Sequence, residues 1–177
     1  ARQPIAISSL PDVSAPALYR DVVPVVRTLS SDLLTPVAAF LKVAAKEKHC
    51  FLLESVHGGE NVGRYTFIGV RPLRTLSATG TKVEIREGTR SRTSKTDLFA
   101  ELKNQFSAHR IAPIAGLPPF TCGAVGYFAY DLVRRLEPIP RRAKSDLDVP
   151  DAYMMFFDRL LAFDHVRQQI HIIATAD

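Results

Sequence analysis

The sequence predicts an α+β domain built chiefly on antiparallel strands. Three observations lead there. Short apolar or period-two runs recur along the chain, each bounded by Gly, Pro or polar residues. Two other segments repeat their apolar residues at helical spacing. Strands and helices also lack the regular βαβ alternation that a parallel sheet requires, which leaves roughly eight strands and two to three helices in α+β order.

A chain of 177 residues is long enough for one domain with a full core and short for two. Hydrophobic residues at 46% and charged residues at 23% place it in the ordinary globular range, which argues against disorder in the body of the chain. The net charge of +5 is spread widely, and the basic clusters at 86–95 and 134–144 read as solvated surface. With no basic helix carrying interleaved aromatics and no zinc-finger spacing, nucleic acid is not an expected partner. Cys50 and Cys122 read as two reduced, buried thiols. No run reaches the roughly 18 apolar residues of a membrane span, and the start lacks a basic segment followed by an apolar block. The expectation is a cytoplasmic protein without a membrane partner. Because it starts at Ala1 and stops at Asp177 just after an apolar run, the chain is expected to be a piece of a longer polypeptide.

Residues 1–21, with Pro4, Pro11 and Pro16, read as an extended lead-in, and 22–177 as the domain. The β-branched run at 22–28 predicts a strand, placed at an edge because Pro24 cannot donate to a ladder. Thr35-Pro36 opens a helix: Thr accepts a free first-turn amide, and Pro lacks a donor that would be unpaired there anyway. Val37, Phe40, Leu41 and Ala44 give it one buried face. Cys50-Phe51-Leu52-Leu53-Glu54-Ser55 reads as a core strand ending in a carboxylate and a hydroxyl, followed by a Gly-rich loop. That loop lacks the Lys-Ser/Thr ending of a phosphate cradle.

Strands are predicted over 64–70, 73–79 and 82–86 as a meander with one wet face, with a turn or short exposed strand at 87–95. Thr96-Asp97 caps a second helix that turns Leu98, Leu102 and Phe106 inward and Glu101, Lys103 and Gln105 outward. Gly123 and Gly126 predict close backbone approach or a bulge, before a short helix to Leu136. Residues 137–150 read as a surface loop, 153–157 as a strand buried on both faces, and 159–165 with 168–175 as a hairpin turning near Val166-Arg167.

The five His residues show no spacing with acids or Cys that suits a metal, so no metal site is expected within the chain. Ser55 and His57 lack the third group of a nucleophilic triad. Glu54 leaves two possibilities open. It pairs with a neighbouring Arg, or, with Ser55, a loop amide and flanking Leu side chains, it holds a small zwitterion with an apolar body.

The helix opening at Thr35-Pro36, the run Phe51-Leu52-Leu53-Glu54-Ser55, Gly58-Gly59-Glu60, the run from Gly63 through Arg64 to Gly69, and Gly123-Ala124-Val125-Gly126-Tyr127-Phe128-Ala129-Tyr130-Asp131 occur in one order. Together they resemble the N-terminal region of anthranilate synthase component I, over about 22–177. The resemblance implies antiparallel sheets packed as an orthogonal sandwich with flanking helices, of which this chain is the N-terminal part. It implies an enzyme that converts chorismate, with ammonia or glutamine, to anthranilate and pyruvate in tryptophan biosynthesis. Mg2+, a glutamine amidotransferase subunit as partner and feedback inhibition by L-tryptophan come with it. The implied tryptophan-binding residues are Ser55, Glu54, Leu53 and Pro36, with Arg64 as a further position. The chorismate and Mg2+ residues belong to the family's C-terminal half, which implies that this chain alone is inactive and exposes apolar surface that the other half covers. Aminodeoxychorismate synthase component I and a free-standing small-molecule sensor are the alternatives.

Overall fold

The computed structural model describes residues 20–54, 63–107, 109–111, 114–140 and 147–176. Among them the strands are β1 (Arg20–Ser30), β2 (Cys50–Glu54), β3 (Tyr65–Val70), β4 (Arg74–Thr79), β5 (Lys82–Glu87), β6 (Arg90–Ser94), β7 (His109–Ile111), β8 (Gly123–Phe128), β9 (Ala152–Phe157), β10 (Arg159–Asp164) and β11 (Gln169–Ala176). Helix α1 (Pro36–Ala44) lies between β1 and β2, α2 (Leu98–Ser107) between β6 and β7, and a 3-10 helix (Tyr130–Arg135) between β8 and β9. The strands form two sheets, ordered β2-β3-β10-β11-β1-β7 and β6-β5-β4-β9-β8. All pairings are antiparallel except β1 with β7. This is the α+β class that the patterning predicts.

Pro24 shows how the sequence fits the first sheet. It stands opposite Thr175 in the β1–β11 pairing, and the Thr175 N–H donates the other way, to the Asp158 carbonyl at 2.8 Å. In an antiparallel ladder such a residue belongs to a non-hydrogen-bonded pair, so the Pro24 nitrogen points to the side where β7 has already ended at Val22. No ladder bond is lost there, so β1 lies inside the sheet, between β11 and β7, and not at the edge that Pro24 predicts.

Alternation along the strands divides the first sheet into two faces. Ile68, Phe163 and Ile170 face α1, under Ala39, with Leu52 and Phe40 beside them. Leu160, Ala162 and Ile173 face the other way with Phe67 and Phe120. There the sheets meet through rings: Phe51 lies edge-on to Phe157 at 4.9 Å between centroids, and Phe67 to Phe120 at 5.6 Å. Gly69 stands opposite Phe51, where a Cβ would collide with the Phe51 ring. Gly126 confirms close backbone approach, because a Cβ there would run into the Tyr153 carbonyl of β9.

The second sheet carries its own core. Leu98 and Leu102 of α2 pack with Leu76, Val83, Ile85 and Phe156, and Leu132 of the 3-10 helix joins them.

Several expectations need correction. On α1 the buried residue is Ala39, while Val37 and Leu41 are 47% and 65% exposed. The helix rests on β3 with one flank and has nothing over the other among the described residues. On α2, Leu98 and Leu102 are buried as predicted, but Glu101 is buried at 3% exposure and Phe106 is 52% exposed, the reverse of what is predicted for those two. Hydrogen bonds decide this, because Glu101 accepts from Arg92 (3.0 Å), Ser94 (2.5 Å), Thr96 (3.2 Å) and Gln105 (2.6 Å). A carboxylate met by that many donors can leave water. In β9 the middle residues 153–155 are only half-buried. Both cysteines are free and half-buried rather than buried. Within 87–95 the short exposed strand of the two predicted readings forms, as the edge strand β6 (Arg90–Ser94). No helix of the described residues is long and apolar enough to cross a membrane. Most of the predicted lead-in, the Gly58-Gly59-Glu60 loop and part of the basic loop at 137–150 lie outside the described residues.

Candidate functional site

The candidate site grows from the end of β2, the outermost strand of the first sheet. Helix α1 delivers the chain to it. Thr35 Oγ1 accepts the Ala38 N–H at 3.2 Å, and Pro36 follows at the first helical position, half-buried. The cap and the proline act as the sequence predicts.

In the β2–β3 register Leu53 stands opposite Phe67 and Glu54 opposite Thr66. Consecutive residues of a strand point to opposite faces. Glu54 therefore shares a face with Leu52 and α1, while Leu53, 47% exposed, lies on the Phe67 face toward the second sheet. Pro36 opens the helix that covers Glu54's face. The structure thus brings Pro36 and Glu54 to one side of the sheet and puts Leu53 on the other. Ser55, the remaining predicted residue, lies outside the described residues.

Glu54 is exposed, and among the described residues nothing pairs with it. Its cross-strand neighbour Thr66 is fully buried and engages His165 Nε2 at 2.7 Å. The nearby guanidinium of Arg64 points two nitrogens elsewhere: Nε donates to Asp164 Oδ1 at 3.1 Å and Nη2 to Asp164 Oδ2 at 2.6 Å. Asp164 also accepts the Val166 and Arg167 amides, both at 3.1 Å. Burial pushes the Asp164 carboxyl up, but the Arg64 hydrogen bonds, the two turn amides and the Arg64 charge outweigh it and hold the group below the usual carboxylate range. Of the two possibilities for Glu54, the Arg pair is not what forms among the described residues. Arg64, the further position implied by resemblance, braces the β10–β11 turn.

Sequence reasoning missed this Asp164–Arg64 pair because the partners lie 100 positions apart. The one available signal was an acid two residues before the predicted turn at Val166-Arg167, a position that suits capping of turn amides.

The described residues build one wall of a binding site: a free carboxylate, an apolar flank and a helix opening. A small ligand needs enclosure on more sides than that. Among the described residues no three His, Cys, Asp or Glu side chains converge to hold a metal ion.

The model of a family described as chorismate binding enzyme matches residues 48–177. Anthranilate synthase component 1 of Acetivibrio thermocellus is 37% identical over 166 residues, covering 93% of this chain and 33% of that protein. Probable anthranilate synthase component 1 of Schizosaccharomyces pombe is 39% identical over 153 residues, covering 86% of this chain and 28% of that one. Among solved structures, anthranilate synthase component I from Streptococcus pneumoniae superposes with a TM-score of 0.55 at 22% identity, over 82% of this chain and 31% of that chain. The two antiparallel sheets with few helices match the fold of that enzyme. The chain spans about a third of the length of the curated relatives it matches. By the extent of the family match and the fold it shares, this chain belongs to the chorismate binding enzyme family.

Proposed function

We propose that this chain is the N-terminal, L-tryptophan-binding regulatory part of an anthranilate synthase component I. The observation that carries the assignment is the named relatives, which align with nearly all of this chain at 37% and 39% identity. The geometry supports the regulatory role. Glu54, unpaired among the described residues, is a carboxylate suited to an ammonium group, and Leu52, on the same face of β2, suits an indole. Further polypeptide would supply the missing walls of the site and the chorismate chemistry. Magnesium would act there as well, so this chain alone would not turn over substrate. A glutamine amidotransferase subunit would be the partner, and the cytoplasm the site of action.

The test is inhibition of the longer enzyme that carries this chain. Ser55→Phe should abolish inhibition by L-tryptophan while activity is kept. Glu54→Gln should raise the inhibitory concentration about tenfold or more, as loss of a charge-assisted bond worth roughly 1.5–3 kcal/mol requires. Unchanged inhibition in both variants would refute the regulatory assignment. Absence of anthranilate production from chorismate and ammonia in the unaltered enzyme would refute the synthase assignment.

A further inference from the structure

A cavity of about 360 Å³ opens at the junction of the two sheets, with apolar walls from Val22, Leu73, Phe106, Ile111, Phe156 and Phe157. It reaches β7, the edge of the first sheet opposite β2, so it is separate from the Glu54 site. Phe156 and Phe157 are buried and make its floor, while Phe106 and Ile111 stand exposed at its rim. Phe106 and Phe156 lie 5.5 Å apart between centroids, tilted by 47°, a spacing at which aromatic rings attract one another. A further ring entering beside them gains that attraction in addition to apolar burial.

Charge decides which aromatic molecule can enter. Arg74 and Asp158 both line the cavity, so an anion meets the Asp158 charge and a cation the Arg74 charge. Neither side chain offers the pairing that would offset this. Arg74 Nη1 donates to Gln105 Oε1 at 2.9 Å, and its Nε is closed even to water. Each Asp158 oxygen already accepts from Arg159, at 3.1 and 3.2 Å. Gln105 is engaged in turn, because its Nε2 donates to Glu101 at 2.6 Å. An ionised ligand would give up water here without a good partner in exchange, whereas a neutral one gives up little.

We propose that this cavity binds a small neutral aromatic molecule, its ring packed among Phe106, Phe156 and Phe157. The volume is within the range of small-molecule sites. The site is independent of the tryptophan assignment, whose ligand is a zwitterion.

Cys122 also lines the cavity and reports on its occupancy. Burial and the nearby Asp158 charge push its thiol up, so its alkylation is followed at mildly alkaline pH. In the longer enzyme that carries this chain, iodoacetamide labelling of the Cys122 and Cys50 peptides is measured by mass spectrometry. Labelling proceeds against rising 2-phenylethanol, phenylacetate or 2-phenylethylammonium, which share one ring and differ in charge. The neutral alcohol should halve the Cys122 rate at a concentration about tenfold or more below either ion. Cys50, which does not line the cavity, should label at an unchanged rate. Phe106→Ala, at the exposed rim, should raise the half-protecting concentration of the alcohol about threefold or more. Equal protection by all three molecules, better protection by either ion, or none by the alcohol overturns the proposal. So does a Cys122 that iodoacetamide cannot reach at all, since the cavity is then not open to a ligand. None of these outcomes depends on a variant.

Discussion

The two helices carry similar sequence signals and end in different surroundings. Each opens on a side-chain cap: Thr35 on the Ala38 amide at 3.2 Å, and Asp97 on the Phe99 amide at 2.8 Å. Each has apolar residues at helical spacing. Yet α2 seals its sheet, with Leu98 at 0% and Leu102 at 8% exposure, while α1 leaves Leu41 at 65% and Val37 at 47%. The carboxylates divide the same way. Glu101 and Asp164 are buried and fully engaged, whereas Glu54, at the end of the strand that α1 leads into, is exposed and unpaired among the described residues. One end of the molecule is finished and the other open. An apolar stripe that meets no partner among the described residues marks a surface suited to contact with more protein, which fits relatives about three times as long.

This contrast can be broken by substitution. The largest effect is expected at Asp164. Asp164→Asn leaves the Arg64 charge and the turn amides poorly paired and should cost about 3–4 kcal/mol, read as a lowered urea midpoint. Leu98→Ala opens a cavity in the closed core and should cost about 3 kcal/mol. Thr35→Ala removes only a cap and should cost about 1 kcal/mol. At the open end, Leu41→Ser should change stability by no more than about 0.5 kcal/mol and should reduce any self-association in sedimentation. A loss at Leu41 equal to that at Leu98 would show that α1 is as buried as α2.

Acid should sharpen the same contrast. Burial raises the Glu101 carboxyl, and hydrogen bonds from Ser94, Gln105 and Arg92 overcome that and hold it low, as Arg64 and the turn amides do for Asp164. In both cases the unfolded chain takes up its proton first as pH falls. The stability they contribute is therefore complete above the ordinary carboxylate range and is lost as pH drops through their depressed values. Urea midpoints measured from neutral pH downward should fall in that window, and Glu101→Gln should flatten the slope. An unchanged slope would mean that Glu101 is not held low.

Much of the fold was legible in the residues. The caps at Thr35 and Asp97, the hairpin at Val166-Arg167 and the close approach at Gly126 each rest on a local rule that its neighbours did not override, whereas the edge position predicted from Pro24 did not hold, because β1 runs unbroken between β11 and β7. The helix faces were legible only in part, with Leu98 and Leu102 inward as predicted. A period of 3.6 says which residues lie together, not which sheet will cover them, so Leu41 was assigned inward and Glu101 outward. The site was half legible: strand alternation already sends Leu53 and Glu54 to opposite faces, but that no Arg among the described residues pairs with Glu54 follows from the tertiary structure, in which Arg64 engages Asp164.

The sequence by itself determined the local elements and the chemistry at their ends, because propensity, capping and period-two alternation act over a few residues. Only the tertiary structure decided which charges are paired and which faces are covered. Those depend on contacts between residues far apart in the chain, such as Arg64 with Asp164 and Arg74 with Gln105, where burial turns a solvated charge into one that must find a partner.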